Sequence, residues 1–406
     1  MSEAIAPATG QNFYFNPWDE EFRANPYPHY QPLLEGPPRI VDMGFKFALA
    51  ARYAEVREIL IDHATFSSVP PAGIGFDEQT KLFGDAPTML GSDPPTQTRL
   101  RRLVSRDFTP RRIRELEPRI GEIAQDLIDA AQRQGRLDVM PDIANPLPVM
   151  VISELLGVPP QEYRQFKHWS DKIIEADNTP PGMPIPDDIK CAFTELKSYF
   201  TQEIERRRKH PGADLVSALV AAHDEAEALS ADELLQFVVL LLLAGNETTT
   251  NLIGNGMLAL GRNPDAMAAL RSKPALMRGA IEEMLRYDGP VQATFRTATK
   301  DTVVGGTPIA AGMGVFVIIA AANRDPAQFK EAEKFDITRE PNEHLAFGEG
   351  IHFCIGAPLA RLEGAIAIGA MLERFGRLRL KDPAMKPAYK GSYFLRGLQS
   401  LPMAID

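Results

Sequence analysis

A single helical pattern, running from a capping box at Ser230 to about Leu260, does most to constrain how this chain can fold. The Ser230 hydroxyl can accept from the amide of Glu233, and the Glu233 carboxylate can reach back to the amide of Ser230. Gly261 and the Asn263-Pro264 pair mark the end of the pattern. About 31 residues at 1.5 Å each make a rod of roughly 45 Å, long enough to cross an entire domain. Its first half is apolar nearly all round, so it belongs inside the protein. At mid-rod come Ala244, Gly245, Asn246, Glu247, Thr248 and Thr249. A glycine followed by polar groups at buried depth needs a reason.

The segments around the rod are mostly helical too. Arg111 to Arg133 repeats Ile113, Leu116, Ile120, Ile123 and Leu127 at a spacing of three to four, and Asp188 to Arg208 reads the same way. Strand-like stretches are short: Arg39–Asp42, Lys46–Ala50, Thr302–Val304, Val315–Ile319 and Leu378–Leu380. They flank a long helical block, which predicts a mainly α fold with a small β region packed beside it. No linker, low-complexity tract or repeat divides the chain, so residues 1–406 read as one large domain around the central helix. Two long loops, Ser67 to Asp93 and Asn178 to Pro186, are rich in proline and glycine.

Composition narrows the function. A formal net charge of −10 makes the chain a poor general binder of nucleic acid or anionic membrane. Two cysteines, Cys191 and Cys354, exclude a disulfide framework and any Cys-rich zinc or iron–sulfur site. The opening MSEAIAPATG has neither the basic nor the apolar region of a signal peptide. The apolar run Phe237 to Gly245 is about half of the ~20 residues that a membrane span requires. The expectation is a soluble cytoplasmic protein.

Cys354 sits in FGEGIHFCIG, residues Phe347 to Gly356. Gly348, Gly350 and Gly356 allow backbone N–H groups to turn toward the sulfur and stabilise a thiolate. Pro358 suits the first turn of a helix whose positive end favours the same charge. One thiolate without a second Cys or His at zinc spacing fits a single axial bond to an iron held by a macrocycle.

These ten residues resemble the haem-ligand loop of the cytochrome P-450 superfamily, the haem-thiolate monooxygenases, at all six fixed positions of Phe-Gly-x-Gly-x-His-x-Cys-x-Gly. The flanking GAPLARLE is similar to its bacterial soluble branch. The resemblance implies haem b with Cys354 on the iron, His352 on a propionate, Phe347 packed near the sulfur and Gly356 against the cofactor. AGNETT, residues 244–249, resembles the family's distal-helix pattern. It implies that Ala244 and Gly245 face the cofactor and that Thr248 and Glu247 deliver protons during oxygen scission. Taken alone, Thr248 is equally a hydroxyl bonded to the carbonyl of Ala244. Arg296 and Arg101 resemble the family's propionate arginines, while Gln97 stands where histidine is common. Glu283, Arg286 and Arg339 resemble its buried Glu-x-x-Arg network, a structural element. Together the matched motifs run from Asp93 to Pro402.

Electrons have to arrive from another protein, because no nucleotide-binding glycine turn or iron–sulfur cluster motif is present. Seven arginines and one acid lie between Arg99 and Arg114, which suggests docking of an acidic ferredoxin served by an NAD(P)H-dependent reductase. By position in the family, Leu240, Leu243, Ala244, Val291, Thr294, Tyr393 and Phe394 bound an apolar substrate pocket, and the 178–186 loop lies over its entrance. The expected reaction is oxidation of a hydrophobic small molecule by O2. A peroxide-driven oxidase and a non-catalytic haem protein are the alternatives; the presence of Glu247 and Thr248 argues against the first, and the lack of any signalling segment against a sensor.

Overall fold

The computed structural model describes residues 8–10, 13–43, 46–70, 86–105, 108–179, 183–223, 229–390, 392 and 394–405. Tyr393 and the middle of both long loops lie outside them. The elements that build the site are helices α1 (Tyr53–Ile61), α2 (Thr96–Ser105), α3 (Glu117–Gln134), α4 (Pro146–Leu155), α5 (Tyr163–Ile174), α6 (Asp187–Lys209), α7 (Ala231–Arg262), α8 (Met277–Asp288) and α9 (Ala357–Arg374). The mainly α architecture with a small β region is as expected.

The rod is α7. Both hydrogen bonds of the capping box at Ser230 are formed. The helix runs through Gly261 to Arg262 and stops at Asn263, because the residue before Pro264 is pushed out of the helical region. α4, α5, α6, α8 and α9 pack around it. By length and composition α7 could cross a membrane, but most of it is buried inside the fold.

Two expectations change. The segment Arg111 to Arg133 is not one helix, because Pro118 has no N–H for the carbonyl of Arg114. It divides into Pro110–Glu115 and α3, with Leu116 between them. Nor are the strands confined to segments flanking the helical block. Leu137–Asp138, inside it, pairs with Pro402–Ile405, which also pairs with Leu378–Leu380. Two residues are too few to show a period of two.

The main sheet has five strands in the order β1 (Arg39–Asp42), β2 (Lys46–Ala50), β5 (Gly314–Val317), β4 (Thr294–Ala298) and β3 (Phe66–Ser67). β5 ends at Val317, two residues before the expected limit, and Ile319 opens a short helix. The register sets Val315 opposite both Ala48 and Arg296. Thr294 and Arg296 therefore share one face of β4, while Phe295 packs with Phe316 on the other.

Glu283 on α8 is fully buried and holds four donors: Arg286 twice at 2.8 Å, Arg339 at 3.1 Å, Asn342 at 3.1 Å and the amide of Asp336 at 2.8 Å. Arg286 also donates to the carbonyls of Asn323 and Ala332. A second knot forms where Tyr27 and Arg396 both donate to Asp288, at 2.5 and 2.7 Å, and Arg396 reaches the carbonyl of Arg23. Removing one partner of a buried ion pair strands the other charge. Glu283→Gln is therefore expected to cost about 3–5 kcal/mol in denaturant unfolding. Glu205→Gln, which breaks the half-exposed Glu205–Arg208 pair, is expected to cost under ~1 kcal/mol.

Candidate active site

The Cys354 loop is built from turns that require glycine. Gly348 and Gly350 have φ of 68° and 71°, and a Cβ at Gly350 would lie 3.0 Å from the carbonyl oxygen of Leu60. Gly356 differs: its φ of −80° needs no glycine, but a Cβ there would point toward the Cys354 sulfur, 3.9 Å away. The Cys354 amide donates to the carbonyl of Phe347 at 2.9 Å, closing the loop. The amides of Gly356 and Ala357 face the sulfur at the start of α9, with Pro358 in its first turn. Burial pushes the Cys354 thiol up, while these amides, Arg101 and Arg361 pull it down. Arg361 stacks over Phe347 at 4.5 Å and is held by Glu282.

Beside the loop lies an excess of positive charge. Gln97 and Arg101, one helical turn apart on α2, both donate to the carbonyl of Ile351, at 2.7 and 3.1 Å. His352 meets the Ser68 hydroxyl at 2.9 Å. Ser68 in turn donates its amide to Asp93, which ties together the two ends of the Ser67 to Asp93 loop. Arg296 is buried, and its hydrogen bonds go to Thr294 and the carbonyl of Phe295 rather than to a carboxylate. Burial lowers Arg296 to about 10. Burial and the charge of Arg296, with Arg101 and His63 adding to it, push His352 down to about 4 against the pull of Asp93.

Across α7, Leu240, Ala244, Gly245 and Thr248 are the residues that the rest of the chain leaves uncovered in an otherwise buried stretch. Leu240, Ala244 and Thr248 recur every four residues and so lie on one face. The Thr248 hydroxyl donates to the Ala244 carbonyl at 2.7 Å. Glu247 is 2% exposed and accepts from Lys390 at 2.8 Å, with Lys167 of α5 at 3.8 Å. Neither lysine stood out in the sequence, since a lysine in a polar turn or on an amphipathic helix carries no signal of its own.

The donor set fits haem. The amide-lined thiol of Cys354 would ligate its iron, and the partly exposed stripe of α7 would leave room for it. Arg296 and Arg101 would supply the charge that two propionates neutralise, and His352 a neutral hydrogen bond.

Of the expected substrate residues, Leu240, Val291, Thr294 and Phe394 are half-buried, while Leu243 is turned into the core. A bridge between Val291 and Leu395 and a hydrogen bond from Gln292 to the Phe394 carbonyl lock the C-terminal turn beside the approach to β4. Phe394 stacks on Phe316 at 5.8 Å.

Known proteins agree with this architecture. The family model for cytochrome P450 matches residues 37–398. The monooxygenase PikC of Streptomyces venezuelae is 43% identical over 391 residues, covering 95% of this chain and 92% of the relative. The vitamin D(3) 25-hydroxylase of Pseudonocardia autotrophica is 41% identical over 389 residues, 95% and 94% of the two chains. Among solved structures, CYP109E1 from Bacillus megaterium in complex with testosterone has a TM-score of 0.87 at 35% identity, covering 96% of this chain and 100% of that one. A buried rod, a cysteine loop capped by a helix and a cluster of cations beside them thus belong to a known architecture, and the chain is a member of the cytochrome P450 family, a haem-thiolate monooxygenase that oxidises hydrophobic molecules with electrons from a redox partner.

Proposed function

We propose that residues 1–406 act as one domain in the cytoplasm, with Cys354 as the iron ligand and an acidic ferredoxin as the electron donor. The observation that carries the assignment is the thiol of Cys354, with two backbone amides aimed at its sulfur beside arginines that no carboxylate in the described chain hydrogen-bonds. The other cysteine, Cys191, is exposed on α6 and bonded to Glu195.

When bound, the haem supplies oxygen activation, and electron donation by the thiolate favours scission. The chain's own residues do the rest. Gly356 and Ala357 steady the thiolate charge, and Phe347 covers it. Arg101, Arg296 and His352 hold the propionates; Gln97 fixes the loop through Ile351. Ala244 and Gly245 would leave room for the haem and its bound oxygen, and Thr248 with Glu247 would bring protons to that oxygen. Leu240, Val291, Thr294 and Phe394 hold an apolar substrate by shape, while Leu243, turned into the core, does not. The relatives point to substrate size: one hydroxylates vitamin D(3), and one solved structure holds testosterone. Rigid, largely apolar molecules of that class are the substrates to screen.

The ferredoxin site is α2 and the helix Pro110–Glu115. Arg101 ties α2 to the Cys354 loop, while Arg102, Arg111 and Arg112 are exposed on the same stretch and Phe353 of the loop is 40% exposed. Exposed arginines on a stretch tied to a loop with an exposed apolar side chain suit an acidic partner.

Cys354→Ala is expected to abolish haem-thiolate absorption and turnover while the helical circular dichroism persists; retained thiolate absorption would sink the assignment. The double charge reversal Arg102→Glu with Arg111→Glu should slow reduction by ferredoxin by about ten-fold or more at low salt and flatten its salt dependence, as read by stopped-flow. Burial and the charge of Arg296 push His352 down to about 4, below its unfolded value. The unfolded chain then binds the extra proton, so the stability tied to this group is lost as pH falls from about 6.5 toward 4. Two propionates beside it should raise the His352 midpoint, a change that NMR titration of haem-free and haem-loaded protein can measure.

A further inference from the structure

Beside its uncovered stripe, α7 carries a second row of polar residues. Glu247, Asn251 and Asn255 are spaced by four, so they share one face of the helix, and all three are buried. Asn255 donates to two backbone carbonyls at once, Asp288 at 3.0 Å and Arg396 at 2.9 Å. It thereby ties α7 to the end of α8 and to the segment Phe394 to Gly397. Asn251 makes no such tie. Both polar atoms of its amide lack a hydrogen-bond partner, although the residue is only 1% exposed. An amide buried without partners calls for another explanation.

Gly397 supplies it. Its φ lies outside the left-handed region, so the backbone there would accept an L side chain. Space would not: a Cβ on Gly397 would overlap the oxygen, carbon and nitrogen of the Asn251 amide together. Turning that amide about its last bond exchanges one of these atoms for another and relieves nothing. Asn251 thus stands against the backbone of the segment and stops it from coming closer, one helical turn from where Asn255 draws it in. The segment is itself joined to the approach to β4. The amide of Gln292 donates to the Phe394 carbonyl at 2.8 Å, the amide of Arg396 donates to the Pro290 carbonyl at 2.7 Å, and Val291 bridges Leu395. Val291 and Phe394 therefore form one wall, and its distance from α7 is held by a tether and a stop.

We propose that Asn251 and Gly397 are positioning residues that set the width of the substrate pocket, and so the size of molecule it accepts, without touching the substrate. This rests on the reading of Val291 and Phe394 as substrate wall given above. The asparagine is the spacer, the glycine lets the wall come to rest on it, and Asn255 keeps the two in contact.

The test uses haem-loaded protein and two nitrogen ligands of the iron, imidazole and the triphenylmethyl-bearing clotrimazole, whose binding is read from the haem absorption. Imidazole is small enough to report on the iron alone, so the ratio of the two affinities reports the width. G397A should push the wall outward and shift the ratio in favour of clotrimazole by about ten-fold, the scale on which an apolar pocket separates ligands by size. N251A removes the spacer, lets the tether draw the wall in and should shift the ratio the other way. N251A combined with G397A should return close to wild type, because the two changes meet in one contact. N251L has the same number of side-chain atoms and no hydrogen bond to lose, and should leave the ratio unchanged. A merely structural pair would lower the melting temperature and leave the ratio where it is in every variant. F394A is the control on the wall: if it does not move the ratio, the reading of Phe394 falls first. If F394A moves the ratio while N251A does not, or if the double variant lies no nearer to wild type than G397A, the spacer is overturned; should G397A fail to fold, N251A and N251L decide alone.

Discussion

One carboxylate without solvent contact carries the cysteine loop. Glu283 collects Arg286, Arg339, Asn342 and the amide of Asp336, and Arg286 passes on to the carbonyl of Asn323. The side chain of Asn323 then accepts from the amide of Leu345, two residues before Phe347. The line of hydrogen bonds thus runs from the inside of α8 to Leu345, just ahead of the loop that holds Cys354. Charges buried in this way are costly unless every partner is present, so the segment has one arrangement. The sulfur is aimed by that rigidity, since an isolated loop with two left-handed glycines could aim it in many directions.

The second constraint is α7. Its packing partners surround it, yet a four-residue repeat of uncovered positions interrupts the burial at Leu240, Ala244 and Thr248. The same helix therefore serves as core on one side and as a wall of the site on the other. Glu247, one residue from that stripe, turns away from it toward Lys390 and Lys167. Acid and alcohol are neighbours in sequence but face different surroundings, one charged and paired, the other bonded back to its own helix.

Much of this was legible from residues alone, for identifiable reasons. The capping box of α7 and the loop around Cys354 are local: their meaning lies within ten residues, and spacing is sufficient to read them. Glu283–Arg286 was legible only together with Arg339, because the same i, i+3 spacing also makes the surface pair Glu205–Arg208. What stayed hidden was non-local. Lys390 lies 143 residues from Glu247, and nothing in the sequence Lys-Gly-Ser announces a buried partner. The strand Leu137–Asp138 exists because Pro402 and Met403 come alongside it. The break at Leu116 had its cause in plain view at Pro118, but a strong apolar stripe ran through it on both sides.

The knot at Asp288 joins parts of the chain that translation makes far apart in time. Arg396 follows Arg23, whose carbonyl it meets, by 373 residues, Tyr27 lies close to Arg23, and Asp288 comes from the helix that also carries Glu283. The segment with Phe394 and Lys390 hangs from this clasp. On a ribosome the early segment waits for its latch, and that segment is fastened only once Arg396 has emerged.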